Sequence, residues 1–85
     1  MTKKDKLIAR FKSQPKDFTY DELTALLGMF GFVADNKGKT SGSRVIFWNE
    51  ELRYPIMIHK PHPGNIIKSY AIKQVYEALQ SLELI

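Results

Sequence analysis

Residues 18–35 read FTYDELTALLGMFGFVAD, and the fold turns on this stretch. Thr19 and Glu22 stand at the T-x-x-E spacing of a capping box, in which each side chain satisfies the other's free backbone N–H. Phe18 before the cap and Leu23 at the fourth helical position suit a hydrophobic staple. Leu23, Leu26, Leu27 and Phe30 then recur as one apolar stripe. Gly31 falls where a helix end needs left-handed backbone. The pattern predicts a helix over Tyr20–Phe30. Directly after the glycine the period changes, so Phe32–Asp35 (FVAD) reads as a short strand.

Downstream, Asn36–Ser43 (NKGKTSGS) has two glycines and no apolar residue, and reads as a loop. Arg44–Asn49 (RVIFWN) is rich in β-branched and aromatic residues and reads as a second strand. Glu50–Arg53 turns the chain into Tyr54–His59 (YPIMIH), a third strand. Pro55 cannot donate to a ladder, so it must lie at the strand's start or on an edge. Lys60–Asn65 (KPHPGN) is a second irregular loop. A final helix begins between Asn65 and Tyr70, with Ile72, Val75, Tyr76, Leu79 and Leu82 as its apolar stripe. Upstream, Lys3–Ser13 suits a short helix carrying Leu7, Ile8 and Phe11, stopped by Pro15.

Three sequential strands with short links make an antiparallel meander, and amphipathic helices before and after it can cover one face. The expected fold class is therefore α+β, with an extra N-terminal helix. At 85 residues the chain is expected to form a single domain over 1–85, with 1–17 an extension and 18–85 the core. Both parities of the strands are apolar: Ile46 and Trp48 on one, Val45 and Phe47 on the other. Such a sheet suits cover on its second face by a partner or by a second copy of the chain, as in a homodimer.

Composition narrows the function. There is no cysteine, which excludes disulfides and thiolate metal sites and favours a reducing, cytoplasmic setting. No apolar run approaches the roughly 18 residues of a membrane helix. The net charge is +4. From Asn36 to Lys68, six bases (Lys37, Lys39, Arg44, Arg53, Lys60, Lys68) face two acids (Glu50, Glu51), which accounts for the whole excess. Localised positive charge points first to a nucleic acid and second to an acidic protein. A solvated lysine-rich surface explains the same charge.

The loop Lys37–Arg44 contains G-K-T. It lacks the upstream glycine of a nucleotide-binding loop and joins two strands instead of opening a helix. Its cations, hydroxyls and backbone N–H groups suit RNA phosphates, and a plain hairpin connection fits as well. The histidines are His59 and His62, in H-K-P-H. Histidine is the side chain best matched to proton transfer near neutral pH. A proline lies between the two and no carboxylate is near, which argues against a metal site. Trp48, Tyr54 and Tyr76 offer faces for base stacking, although such residues serve as often in cores and interfaces.

The order of these features resembles the HicA-type (YcfA-like) toxin family. It runs from a helix ending in Gly31-Phe32 through a short strand, a basic glycine-containing loop and Gly42-Ser43. A strand, a second strand ending in His59, a loop and a helix follow. The resemblance covers roughly Phe18–Leu82. It implies a double-stranded-RNA-binding-domain-like fold of α-β-β-β-α order. It also implies a metal-independent ribonuclease acting on messenger RNA, and a HicB-type antitoxin as partner. The family's Gly-Ser-His motif opens the second strand, with the histidine catalytic. Gly42 and Ser43 match it, and Arg44 stands where the histidine would be. Arginine stays protonated and cannot act as a base, but it can stabilise charge developing on phosphorus. His59 matches the family's second histidine by its position after the third strand.

The resulting expectation is an RNA-binding toxin and endoribonuclease with no cofactor. His59 and Arg44 are the catalytic candidates. Lys37, Lys39, Ser43, Arg44, Lys60 and Lys68 are the RNA-binding ones. A non-catalytic RNA-binding module of the same fold, or a protein–protein adaptor, are the alternatives.

Overall fold

Thr19 sets the chain's geometry as its spacing predicts. Its hydroxyl accepts a hydrogen bond from the Glu22 backbone N–H at 3.1 Å, and the Glu22 carboxylate accepts one from the Thr19 N–H at 3.0 Å. Two of the N–H groups that a helix start leaves unpaired are thereby satisfied. The computed structural model in which this is seen describes residues 3–35, 44–61 and 64–85. Helix α1 spans Lys3–Lys12, α2 Tyr20–Met29 and α3 Ser69–Ser81. The strands are β1 (Phe32–Asp35), β2 (Arg44–Asn49) and β3 (Tyr54–His59).

Phe30 is the C-cap of α2, one residue beyond its last turn, and Gly31 follows with φ +90°. A Cβ there would sit 3.2 Å from the Asn49 Nδ2, so both backbone and space call for glycine. Asn49 is buried at the end of β2. Its Nδ2 donates to the Phe30 carbonyl at 2.8 Å and its Oδ1 accepts from the Leu52 N–H at 2.8 Å. One side chain thus ties the end of α2 to the β2–β3 turn.

The strands form one antiparallel sheet in the order β1-β2-β3. Phe32, Phe47, Ile56 and Ile58 point to the covered face and are buried with Leu23, Leu26 and Leu27 of α2 and Ile72, Val75 and Leu79 of α3. Helix α2 packs on β1 and α3 on β3. This is the α-β-β-β-α arrangement of double-stranded-RNA-binding-like domains, with helices on one face. Helix α1 adds to the same core. Phe11 is fully buried, with ring centroids 5.7 Å from Phe18 and 5.9 Å from Tyr76. Arg10 fixes α1 to the start of α2 through Glu22 (3.0 Å) and Asp17 (3.1 Å).

The uncovered face carries Val33, Asp35, Arg44, Ile46, Trp48, Pro55, Met57 and His59, by strand alternation and register. Val33 is 68% exposed and Met57 41%. Ile46 and Trp48 are half-buried on the same face, so among the described residues the apolar second parity is only partly covered.

Candidate functional site: the cationic edge between β3 and α3

Arg44 opens β2 and His59 closes β3, and the register pairs them directly. Directly opposed residues hold their Cβ atoms roughly 4.5–5.5 Å apart on one face. Both side chains are exposed on the open face of the sheet. The two catalytic candidates, fifteen positions apart in the chain, are neighbours across a ladder.

Lys60 follows β3 at once. Its Nζ lies 5.5 Å from the ring centroid of Tyr20, which in turn packs at 6.4 Å against Phe47. A cation over an aromatic face is attracted to it, so Lys60 has a preferred position set by the first residue of α2. Lys68 is placed by a different device. The Ile67 N–H donates to the Phe18 carbonyl at 2.8 Å and the Tyr20 N–H donates to the Asn65 carbonyl at 2.7 Å. These bonds form a small bridge between Thr19 and Ile66, and Ile67 is buried beneath it. The bridge pins the start of α3 to the start of α2 and leaves Lys68 exposed as the residue before α3.

His59, Lys60 and Lys68 consequently line one groove between the edge strand β3 and α3, with a volume of about 470 Å³. Met57, Tyr70 and Gln74 also line it, and all three are exposed. Lys37, Lys39 and Ser43, expected to bind RNA, lie outside the described residues, as does His62. Of the basic stretch, Arg53 does not join the others. It sits in the β2–β3 turn at the far end of the sheet, because Asn49 pairs with Tyr54 there while Arg44 pairs with His59 here.

The aromatic residues read from the sequence as candidates for stacking have other contacts. Tyr76 packs on Phe11, and Tyr54 is half-buried against the core. Trp48 donates its indole N–H to Glu50 at 2.6 Å on the open sheet face. The aromatic at the groove is Tyr70. A signal for it was present in the sequence: position 70 falls outside the stripe of Ile72, Val75, Tyr76 and Leu79 and two residues from Lys68.

At the start of α2, the Arg10 guanidinium, and after it the Thr19 N–H, hold the pKa of the Glu22 carboxyl down at about 2, against an ordinary 4.5. Arg10 is correspondingly raised by its bonds to Glu22 and Asp17. The same carboxylate thus locks α1 to α2 and caps α2, which presents Tyr20 to Lys60.

The described residues define an α+β domain with an exposed histidine and several cations gathered at one end of its sheet. The family described as "HicA toxin of bacterial toxin-antitoxin" matches residues 20–81, and the chain belongs to that family. It is thus a toxin-family member from a toxin–antitoxin system, a class that pairs with an antitoxin. Neither a curated protein nor a solved structure matches the chain. Among the described residues, no helix is long and apolar enough to cross a membrane.

Proposed function

We propose that this protein is a cytoplasmic toxin that cleaves messenger RNA without a metal and is held in check by a HicB-like antitoxin. The observation that carries the reading is the direct pairing of Arg44 with His59 on the open sheet face, beside Lys60 and Lys68. RNA carries its own nucleophile, so the protein has to supply proton transfer and charge stabilisation. The 2′-oxygen attacks the adjacent phosphorus and the bond from phosphorus to the 5′-oxygen breaks. The products are a 2′,3′-cyclic phosphate and a free 5′-hydroxyl. His59 takes the 2′-hydroxyl proton and returns it to the leaving 5′-oxygen, or makes one of these two transfers while solvent water makes the other. Arg44 stabilises the charge that develops on phosphorus. Lys60 and Lys68 bind the neighbouring phosphates, with Lys37, Lys39 and Ser43 as further contacts. The apolar part of the open sheet face, with Val33 and Met57, supports a protein partner. The antitoxin is the proposed occupant, and a homodimer would be the alternative outcome.

Incubation of the purified protein with RNA in EDTA tests the reading. Fragments ending in cyclic phosphate and 5′-hydroxyl are expected. Intact RNA in the presence of retained binding would favour the second reading, a non-catalytic RNA-binding module. What supports that second reading is the resemblance of Gly42-Ser43-Arg44 to the family's Gly-Ser-His motif, which would set Arg44 in the histidine's place. Arg44→His would then create cleavage where the native protein has none.

A further inference from the structure

We propose that the groove between β3 and α3 is a subsite for one unstacked base of single-stranded RNA, with Tyr70 as its stacking platform. The inference rests on the RNA reading above and adds the form of RNA that fits. The groove's volume of about 470 Å³ lies within the ~300–1,000 Å³ typical of sites that enclose small ligands. Its walls have the chemistry of a nucleotide. Ala71 and Val75 are buried and give an apolar floor, while Lys60 and Lys68 supply cations for the backbone on either side. Tyr70 lines the groove from the first turn of α3 and is 61% exposed. Its ring lies off the stripe that α3 buries, so core packing does not explain a large aromatic there. Gln74 is one turn further along α3, on the same side as Tyr70. Its amide offers both a donor and an acceptor to a base edge.

These features select against a duplex. A paired base has both faces stacked and its Watson–Crick edge occupied, so it cannot turn into a groove between a strand and a helix. An unpaired base can, and stacking on an aromatic ring is the usual way proteins hold one. Because every base has a flat face, Tyr70 itself tolerates any of them, and Gln74 supplies the preference. Lys60, drawn toward the Tyr20 ring, is already placed when the strand arrives.

The test is fluorescence anisotropy with a labelled single-stranded RNA, the same sequence as a duplex, and a single strand whose nucleotides are abasic. The native protein should bind the single strand more tightly than the duplex. Tyr70→Ala should weaken single-strand binding by about 5- to 150-fold, which corresponds to ~1–3 kcal/mol for one base–aromatic stack. Tyr70→Phe should keep the affinity. Tyr70→Leu, which keeps apolar bulk on α3, should lose it if Tyr70→Ala proves unstable. Neither loss should appear on the abasic strand. Full single-strand affinity in Tyr70→Ala and Tyr70→Leu, or an equal loss on the abasic strand, overturns the base subsite. If Lys60→Ala with Lys68→Ala still weakens binding in that case, the RNA reading stands without it. A native protein that binds none of the three at low salt overturns both.

Discussion

Asn49 is the buried polar side chain of the described core, and both ends of its amide are used. It donates to the Phe30 carbonyl and accepts from the Leu52 N–H. Asn49→Ala would leave both backbone groups without their partner in a place where water cannot easily replace it. The expected cost is about 1–3 kcal/mol, read as a lower midpoint in urea with an unchanged slope. An unchanged midpoint would show that the amide does not secure the turn. This residue was hidden in the sequence, where Asn49 reads as the polar end of a strand. Its role depends on the Phe30 carbonyl, nineteen positions earlier, coming within 2.8 Å of its amide, a contact between distant positions that no local pattern encodes. Arg44 and His59 are the reverse case. Their types were legible as candidates, and their pairing follows once the two strands are read with a four-residue turn between them.

At the scale of elements, the strand bounds Phe32–Asp35, Arg44–Asn49 and Tyr54–His59 agree with the reading of the sequence. Each is flanked by a glycine, a turn or a change of period, and each buries alternate residues. The first helix is legible by its apolar residues, but its attachment is not. That depends on Arg10 reaching Glu22 twelve positions away. The bridge between Thr19 and Ile66 escaped the sequence for the same reason. It joins two short irregular segments through backbone atoms, which carry no side-chain signature. The Arg10–Glu22 contact makes a testable link to pH. Glu22 titrates at about 2 in the folded chain and ordinarily at 4.5, so the unfolded chain binds the extra proton between those values. Its stabilising effect is therefore complete above about pH 4.5, declines below it, and is gone near pH 2. Glu22 is partly exposed, and solvent screens the pair, so the effect is small. Arg10→Gln should move the acid unfolding transition, followed by circular dichroism, toward higher pH. A transition at the native pH would mean that the ion pair does not secure α1.

The whole molecule divides its charge by position. Arg44, Lys60 and Lys68 gather at one end of the sheet, while Arg53 lies at the other. The sequence shows an excess of positive charge along one stretch of chain. Only the antiparallel register reveals that the stretch runs from one end of the sheet to the other and back. Phosphate contacts release counterions, and each lost contact lowers the salt slope of binding by about one unit. Lys60→Ala with Lys68→Ala should flatten the slope of log affinity against log salt by about two units. Arg53→Ala should leave it unchanged. Equal effects from both would mean that RNA does not choose this end.

At that end, the proposed cleavage of RNA depends on His59 moving a proton. The most direct test compares native protein and His59→Ala on one RNA in EDTA, with cleavage rate and affinity measured together. His59 is exposed, so its loss should leave the core intact. The predicted result is a rate lower by about 10²–10⁴-fold, the usual contribution of a general acid or base, with affinity close to native. Cleavage by His59→Ala at the native rate would contradict the claim.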